Sequence, residues 1–187
     1  MEVREIPLRL APRRRVERER RPARARLAKR SLRTRPPGWL RFVERICRGF
    51  GEFLVPLAQR QHGRPPIVPE DEYDVQDFLH GVLRVFFDDV RPEDFAPERA
   101  GGRSRIDFVL KTERIVVEAK MTRPSLGASK VGAQLIVDIE RYRSHPDCDA
   151  LVALVYDPER HIPNRRTLEA DLSGERDGIV VRIVVVH

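Results

Sequence analysis

At 187 residues with 41% apolar side chains, the chain is long enough for one domain with a core, and it holds no run of about 18 apolar residues that would span a membrane. Its net charge of +7 is unevenly placed: residues 1–35 carry 14 Lys and Arg against 4 acids, a net of +10, whereas residues 36–187 carry 22 against 25, a net of −3. No apolar leader is present and Cys47 and Cys148 lack metal spacing, so the reading is a cytoplasmic protein with reduced thiols and no membrane partner.

Residues 1–38 contain Pro7, Pro12, Pro22, Pro36 and Pro37 and show no apolar periodicity, which reads as a disordered basic tail. Arg13, Arg14 and Arg15 in that tail suit a phosphate backbone through non-specific electrostatics. Composition alone offers a blander source for the basicity, because Arg outnumbers Lys 32 to 4 across the chain.

From Trp39 the pattern changes. Trp39, Phe42, Val43, Ile46, Phe50, Phe53, Leu54 and Leu57 recur at helical spacing, predicting a helix to about Arg60 and then a Pro/Gly linker, so residues 39–69 form a helix and linker. That helix is expected to cap the domain or make a dimer contact. Residues 70–187 form the main domain. It opens with a helix whose first turn is acidic, as the helix dipole favours, with Glu72 and Asp74 near its start. An irregular strand over 90–98 follows, then two short strands within 104–120. A loop with Pro124 and Gly127 leads to an amphipathic helix over 128–143. An apolar strand over 150–156, a short helix over 165–172 and a last strand over 179–186 complete the order. The fold class is α/β: a mixed sheet with helices packed against it.

The stretch 104–120, SRIDFVLKTERIVVEAK, holds the chemistry. Strand side chains alternate, so Glu118 and Lys120 share one face while Val117, Ala119 and Met121 take the other. A loop of two or of four residues between the strands sets Asp107 opposite Glu118; a loop of three or five shifts the register by one. Facing carboxylates repel. A divalent cation between them turns that cost into a site, with Lys120 beside it to orient water or meet developing negative charge. An acid on one strand followed by Glu-x-Lys on the next is what metal-dependent phosphodiester cleavage needs. The competing reading of a Glu-x-Lys pair is an ordinary exposed strand face.

This order and these residues resemble the PD-(D/E)XK nuclease superfamily, with Asp107 in Arg-Ile-Asp and the signature's second half as Glu118-Ala119-Lys120. The strings EYDVQDFLH, FFDDVRPED, AGGRSRIDF, VVEAKMTR, GAQLIVDIERYRSHPDC and LVYDP, over about residues 70–186, are similar to the nuclease domain allied to GATC-cutting restriction enzymes, which also serves as an effector in bacterial defence. The resemblance implies a restriction-endonuclease-like fold and a Mg²⁺- or Mn²⁺-dependent nuclease, acting on DNA in restriction or anti-phage defence as a homodimer. Asp107, Glu118 and the backbone carbonyl of Ala119 would hold the metal, with Asp74 or Glu72 as a further ligand. Lys120 and Gln134 would serve the chemistry, with Tyr142 read either as a site residue or as an aromatic at the edge of the core. Arg103, Arg105 and Lys130 would touch the nucleic acid beside the tail. The alternative is a module that keeps the fold, has lost the chemistry, and binds nucleic acid or a partner.

Overall fold

The computed structural model describes residues 38–95, 105–176 and 178–187. The tail expected to be disordered lies almost wholly outside them. Helices α1 (Gly38–Arg48), α2 (Phe50–Ala58) and α3 (Glu72–Phe86) lead into strand β1 (Val90–Phe95). Strands β2 (Arg105–Leu110) and β3 (Ile115–Met121), helix α4 (Ala128–Tyr142), strand β4 (Ala150–Tyr156), helix α5 (Arg165–Leu172) and strands β5 (Gly174–Arg176) and β6 (Ile179–Val186) follow.

The expected mixed sheet is present. Its six strands run in the order β1-β2-β3-β4-β6-β5. β1, β2 and β3 are antiparallel neighbours, whereas β3, β4 and β6 are parallel. Parallel neighbours need a crossover, and α4 and α5 supply it. Covered on both faces, β4 is apolar throughout, ALVALVY, and buried over its first six residues. β5 was not foreseen: three residues, Gly-Glu-Arg, carry no strand periodicity, and only pairing with β6 makes them a strand.

Two apolar layers sandwich the sheet. On one face Leu40, Val43 and Cys47 of α1, Phe50 and Leu54 of α2, and Val75, Leu79 and Leu83 of α3 pack against Val117, Ala119, Val152, Leu154 and Val184. On the other, Val131, Leu135, Ile139 and Tyr142 of α4 and Leu172 of α5 pack against Val116, Leu151, Ala153, Val155 and Ile183. Fully burying each Val, Leu, Ile or Phe among them contributes about 1.5–3 kcal/mol before the loss of conformational entropy. The single helix expected over 39–60 is two: the first ends at Arg48, Gly49 lies between them, and α2 starts at Phe50. Gly51 allows α2 to approach the end of β6, where a Cβ would lie 2.4 Å from the His187 carbonyl oxygen.

Candidate active site

The hairpin loop is the four residues Lys111–Arg114, one of the two lengths that give the predicted register. Phe108 pairs with Val117, Val109 with Val116 and Leu110 with Ile115. Arg114 takes a positive φ of 60°, held by bonds from its guanidinium to Asp149 at 2.8 and 3.1 Å.

Beyond Phe108 and Val117 the two strands part. β2 continues along β1, where Asp94 pairs with Ile106, while β3 continues along β4 to Met121. The edge of β3 that faces β2 is therefore left with unpaired backbone groups, which a buried edge must satisfy. Two acids do so: Asp107 Oδ2 accepts from Ala119 N at 2.8 Å, and Glu72 Oε2 accepts from Met121 N at 3.3 Å. A residue's N–H and C=O leave a strand on the same side, so the Ala119 carbonyl opens into the gap that holds Asp107.

The second set of contacts comes from α4. Glu118 and Lys120 are only 6% and 7% exposed, on the face covered by that helix. Lys120 Nζ lies 3.0 Å from Glu118 Oε1 and 3.1 Å from Asp138 Oδ2. Tyr142 donates its hydroxyl to Glu118 Oε2 at 2.6 Å. Asp138 also accepts from Arg141 at 3.0 Å, one turn along the same helix. From the opposite face, Gln76 of α3 donates to Asp107 Oδ1 at 3.0 Å.

Electrostatics sharpen the picture. Burial raises the Asp107 carboxyl to about 6; the Ala119 N–H and Lys120 only partly offset this, and Glu72 and Asp138 add to it. Burial also pushes Glu118 up, reinforced by Asp107 and opposed by Lys120. Burial pulls Lys120 down, but Glu118 and Asp138 outweigh it and hold the ammonium charged. Two carboxyls forced together in a dry site, each displaced toward its neutral form, are a place where a cation is stabilising.

The donor set fits a hard divalent ion. Mg²⁺ takes one or two carboxylates and fills its other positions with water and substrate phosphate. Asp107, Glu118 and the Ala119 carbonyl match that demand. Among the described residues no group of three or more His, Cys, Asp and Glu forms a fuller cage.

The two alternatives at the start of α3 separate. Asp71 caps the helix, accepting from Tyr73 N at 2.8 Å and Asp74 N at 3.1 Å, and Asp74 reaches back to Glu70 N at 2.8 Å. Asp74 is thus spent on the helix end, and Glu72 is the acid beside the site. Gln134 is exposed, one turn before Asp138 on α4, with no hydrogen bond to either carboxylate among the described residues. Lys130 is exposed and donates to Ser125 O at 2.8 Å. Arg13, Arg14, Arg15, Arg103 and the Arg105 side chain lie outside the described residues.

Sequence reasoning noted Gln76 near the start of α3 and expected the Asp138–Arg141 pair that forms at 3.0 Å, but assigned neither Gln76 nor Asp138 to the site. The signal for Gln76 was its spacing: Glu72, Gln76 and His80 are four apart and line one side of α3, where the His80 ring stacks on Phe108 at 5.3 Å. The signal for Asp138 was a charged residue within the apolar stripe Val131, Leu135, Ile139, Tyr142.

A family model described as REase_DpnII-MboI matches residues 41–187. The chain belongs to the DpnII-MboI restriction endonuclease family. Membership makes the enzyme class that of DNA-cleaving nucleases, and the matched span contains every residue of the site just described. The match also begins well before residue 70, where the sequence resemblance started, and so takes in most of α1 and the whole of α2. No curated protein and no solved structure matches the chain. Among the described residues no helix is long and apolar enough to cross a membrane.

Proposed function

We propose that this chain is an endodeoxyribonuclease of the PD-(D/E)XK type, dependent on Mg²⁺ or Mn²⁺, that hydrolyses DNA by direct attack of water. The observation that carries the reading is Asp107 and Glu118 converging where β2 and β3 part, with the Lys120 ammonium 3.0 Å from Glu118. When bound, the ion supplies acidity to a water and offsets charge on the phosphoryl group. Asp107, Glu118 and the Ala119 carbonyl would hold it, with Glu72 as the further acid beside the site.

Lys120 orients the attacking water or meets the negative charge that builds on the phosphate. Its ammonium donates a hydrogen bond to Glu118 and lies beside Asp138 without a hydrogen bond to Oδ2, which leaves donors for substrate. Tyr142 and Asp138 keep Glu118 and Lys120 from swinging away. Gln134, on the exposed side of the same helix, reaches water or phosphate at the rim. Lys130, Arg103, Arg105 and the tail arginines contact the backbone of the nucleic acid.

Cutting both strands with one site per chain calls for two copies, so a homodimer is part of the proposal. Exposed Trp39 (55%) and Phe86 (52%), both in ring contact with Phe42, supply an apolar surface for it. The biological setting is restriction or anti-phage defence in the cytoplasm, on the strength of the family.

Incubation with plasmid DNA and Mg²⁺ tests the reading. Cutting that disappears in EDTA and in Lys120→Ala is expected. Binding without cutting, across Mg²⁺, Mn²⁺ and both DNA and RNA, would instead establish a nucleic-acid-binding module.

A further inference from the structure

Apart from the carboxylates, Arg160, Ile162, Pro163, Arg165 and His187 line a cleft of about 350 Å³. Its position follows from the strand register. Lys120 is level with Val155 of β4, and Val155 with Val185 of β6. His187 follows β6 directly, and Arg160 lies four residues past the end of β4. The cleft thus sits just beyond the carboxyl ends of the parallel strands, on the side of the sheet where Ile162 packs with the α4 and α5 layer. Glu118 and Lys120 face the same layer near the same ends. Two strand spacings separate β3 from β6, about 10 Å.

The cleft is held by a buried anchor. Asp157, fully buried, accepts from Thr122 Oγ1 at 2.6 Å, His161 N at 2.8 Å and Ile162 N at 3.0 Å. Its carbonyl takes the Arg160 N–H at 3.2 Å and lies 3.2 Å from His187 Nδ1. These bonds hold Arg160 at a positive φ of 57°, uncommon for a side chain of that size. His187 Nε2 lies 3.2 Å from Arg165 Nη1. A guanidinium only donates, so Nε2 accepts and the imidazole carries its proton on Nδ1, toward the Asp157 carbonyl. Among the described residues no carboxylate pairs with Arg160 or Arg165. The Thr122–Asp157 bond ties this loop to the end of β3, two residues from Lys120.

Two guanidinium groups with no carboxylate partner among the described residues, lining one cleft near the proposed cleavage centre, offer planar forks of N–H donors to the oxygens of a phosphate. We propose that Arg160 and Arg165, the latter oriented by His187, form a phosphate-binding subsite that grips the substrate backbone away from the scissile position. The subsite rests on the nuclease reading for its ligand's source, since a duplex presents a charge about every 1.7 Å along its axis.

The test uses the full chain with Lys120→Ala, so that duplex binding is read without cutting. Adding Arg160→Ala and Arg165→Ala weakens binding to all sequences alike and lowers the slope of log affinity against log salt by about 1–2. Arg166→Ala, next in sequence but not lining the cleft, leaves both unchanged. Independently, inorganic phosphate shifts the His187 imidazole resonances in the parent and not in the double variant. An unchanged salt slope, or His187 signals indifferent to phosphate, overturns the subsite. If the chain with Lys120 intact cuts no DNA while both expected responses hold, the nuclease reading falls and the subsite stands.

Discussion

The two halves of β3 obey the same backbone rules and reach different ends. Ile115–Val117 is flanked on both edges, by Phe108–Leu110 and by Ala150–Val152, and all three side chains are apolar and buried. Glu118–Met121 keeps β4 on one edge but has lost β2 on the other, and acid side chains take the place of the missing strand. The lesson is that a strand edge which must be satisfied without a neighbour can recruit carboxylates. Asp107, recruited for that purpose, also raises the charge felt by the neighbouring Glu118 carboxyl.

The sharpest way to break this comparison is to neutralise one acid. Glu118→Gln should lower the cleavage rate by about 10²–10³-fold or more, the scale seen when one key electrostatic group is removed. It should leave thermal stability without metal nearly unchanged, because burial and Asp107 already hold the Glu118 carboxyl toward its neutral form, which Gln resembles in shape and charge. A variant that loses both activity and stability would mean that Glu118 belongs to the structural half of the strand.

Tyr142→Phe probes the clamp from α4. It removes the donor 2.6 Å from Glu118 Oε2 and should weaken divalent-ion affinity about 10–100-fold, the usual cost of losing such a partner. Titrating Mg²⁺ in the cleavage assay measures this: a higher requirement with recovery at saturation supports the clamp, and an unaltered titration counts against it.

The pH dependence separates the halves without mutation. Asp107 ordinarily titrates near 3.8 and is raised to about 6 in the fold. The folded state therefore holds the extra proton between those values. Stability free of metal should be full below about pH 4 and fall by roughly 3 kcal/mol at most as pH rises to about 6. Mg²⁺ should reverse that trend by favouring the ionised form. Urea midpoints in EDTA and in Mg²⁺ across pH 4–7 check it; Asp107→Asn should make the metal-free curve less steep, with Glu118 supplying the remainder.

The smallest effect on cutting is expected from the fully paired half. Val117→Ala should cost about 2 kcal/mol of stability through a lost side chain and the cavity it leaves, with cleavage per folded molecule unchanged.

Much of this was legible in the chain. Alternation assigned Glu118 and Lys120 to one face, and two of the loop lengths weighed gave the hairpin register that forms. The apolar run of β4 announced a strand covered on both sides. The site's other half was not legible, because nothing local distinguishes the acids at the start of α3. Asp71 and Asp74 satisfy the helix end and Glu72 the strand edge, a division of labour that depends on where α3 meets β3. Gln76 and Asp138 were hidden for the same reason: a polar residue on a helix reads as solvent-facing until the partner's position is known.

Sequence alone determined the alternation of apolar strands and helices and the pair Glu118 and Lys120, because periodicity and neighbouring residues are properties of the local backbone. Only the tertiary structure decided that β2 and β3 part at Asp107, and which of several equivalent polar side chains from α3 and α4 meet in the gap. Contacts between residues 31 to 49 positions apart, such as Gln76 with Asp107 and Glu72 with Met121, are set by how whole elements pack, and no short-range pattern encodes them.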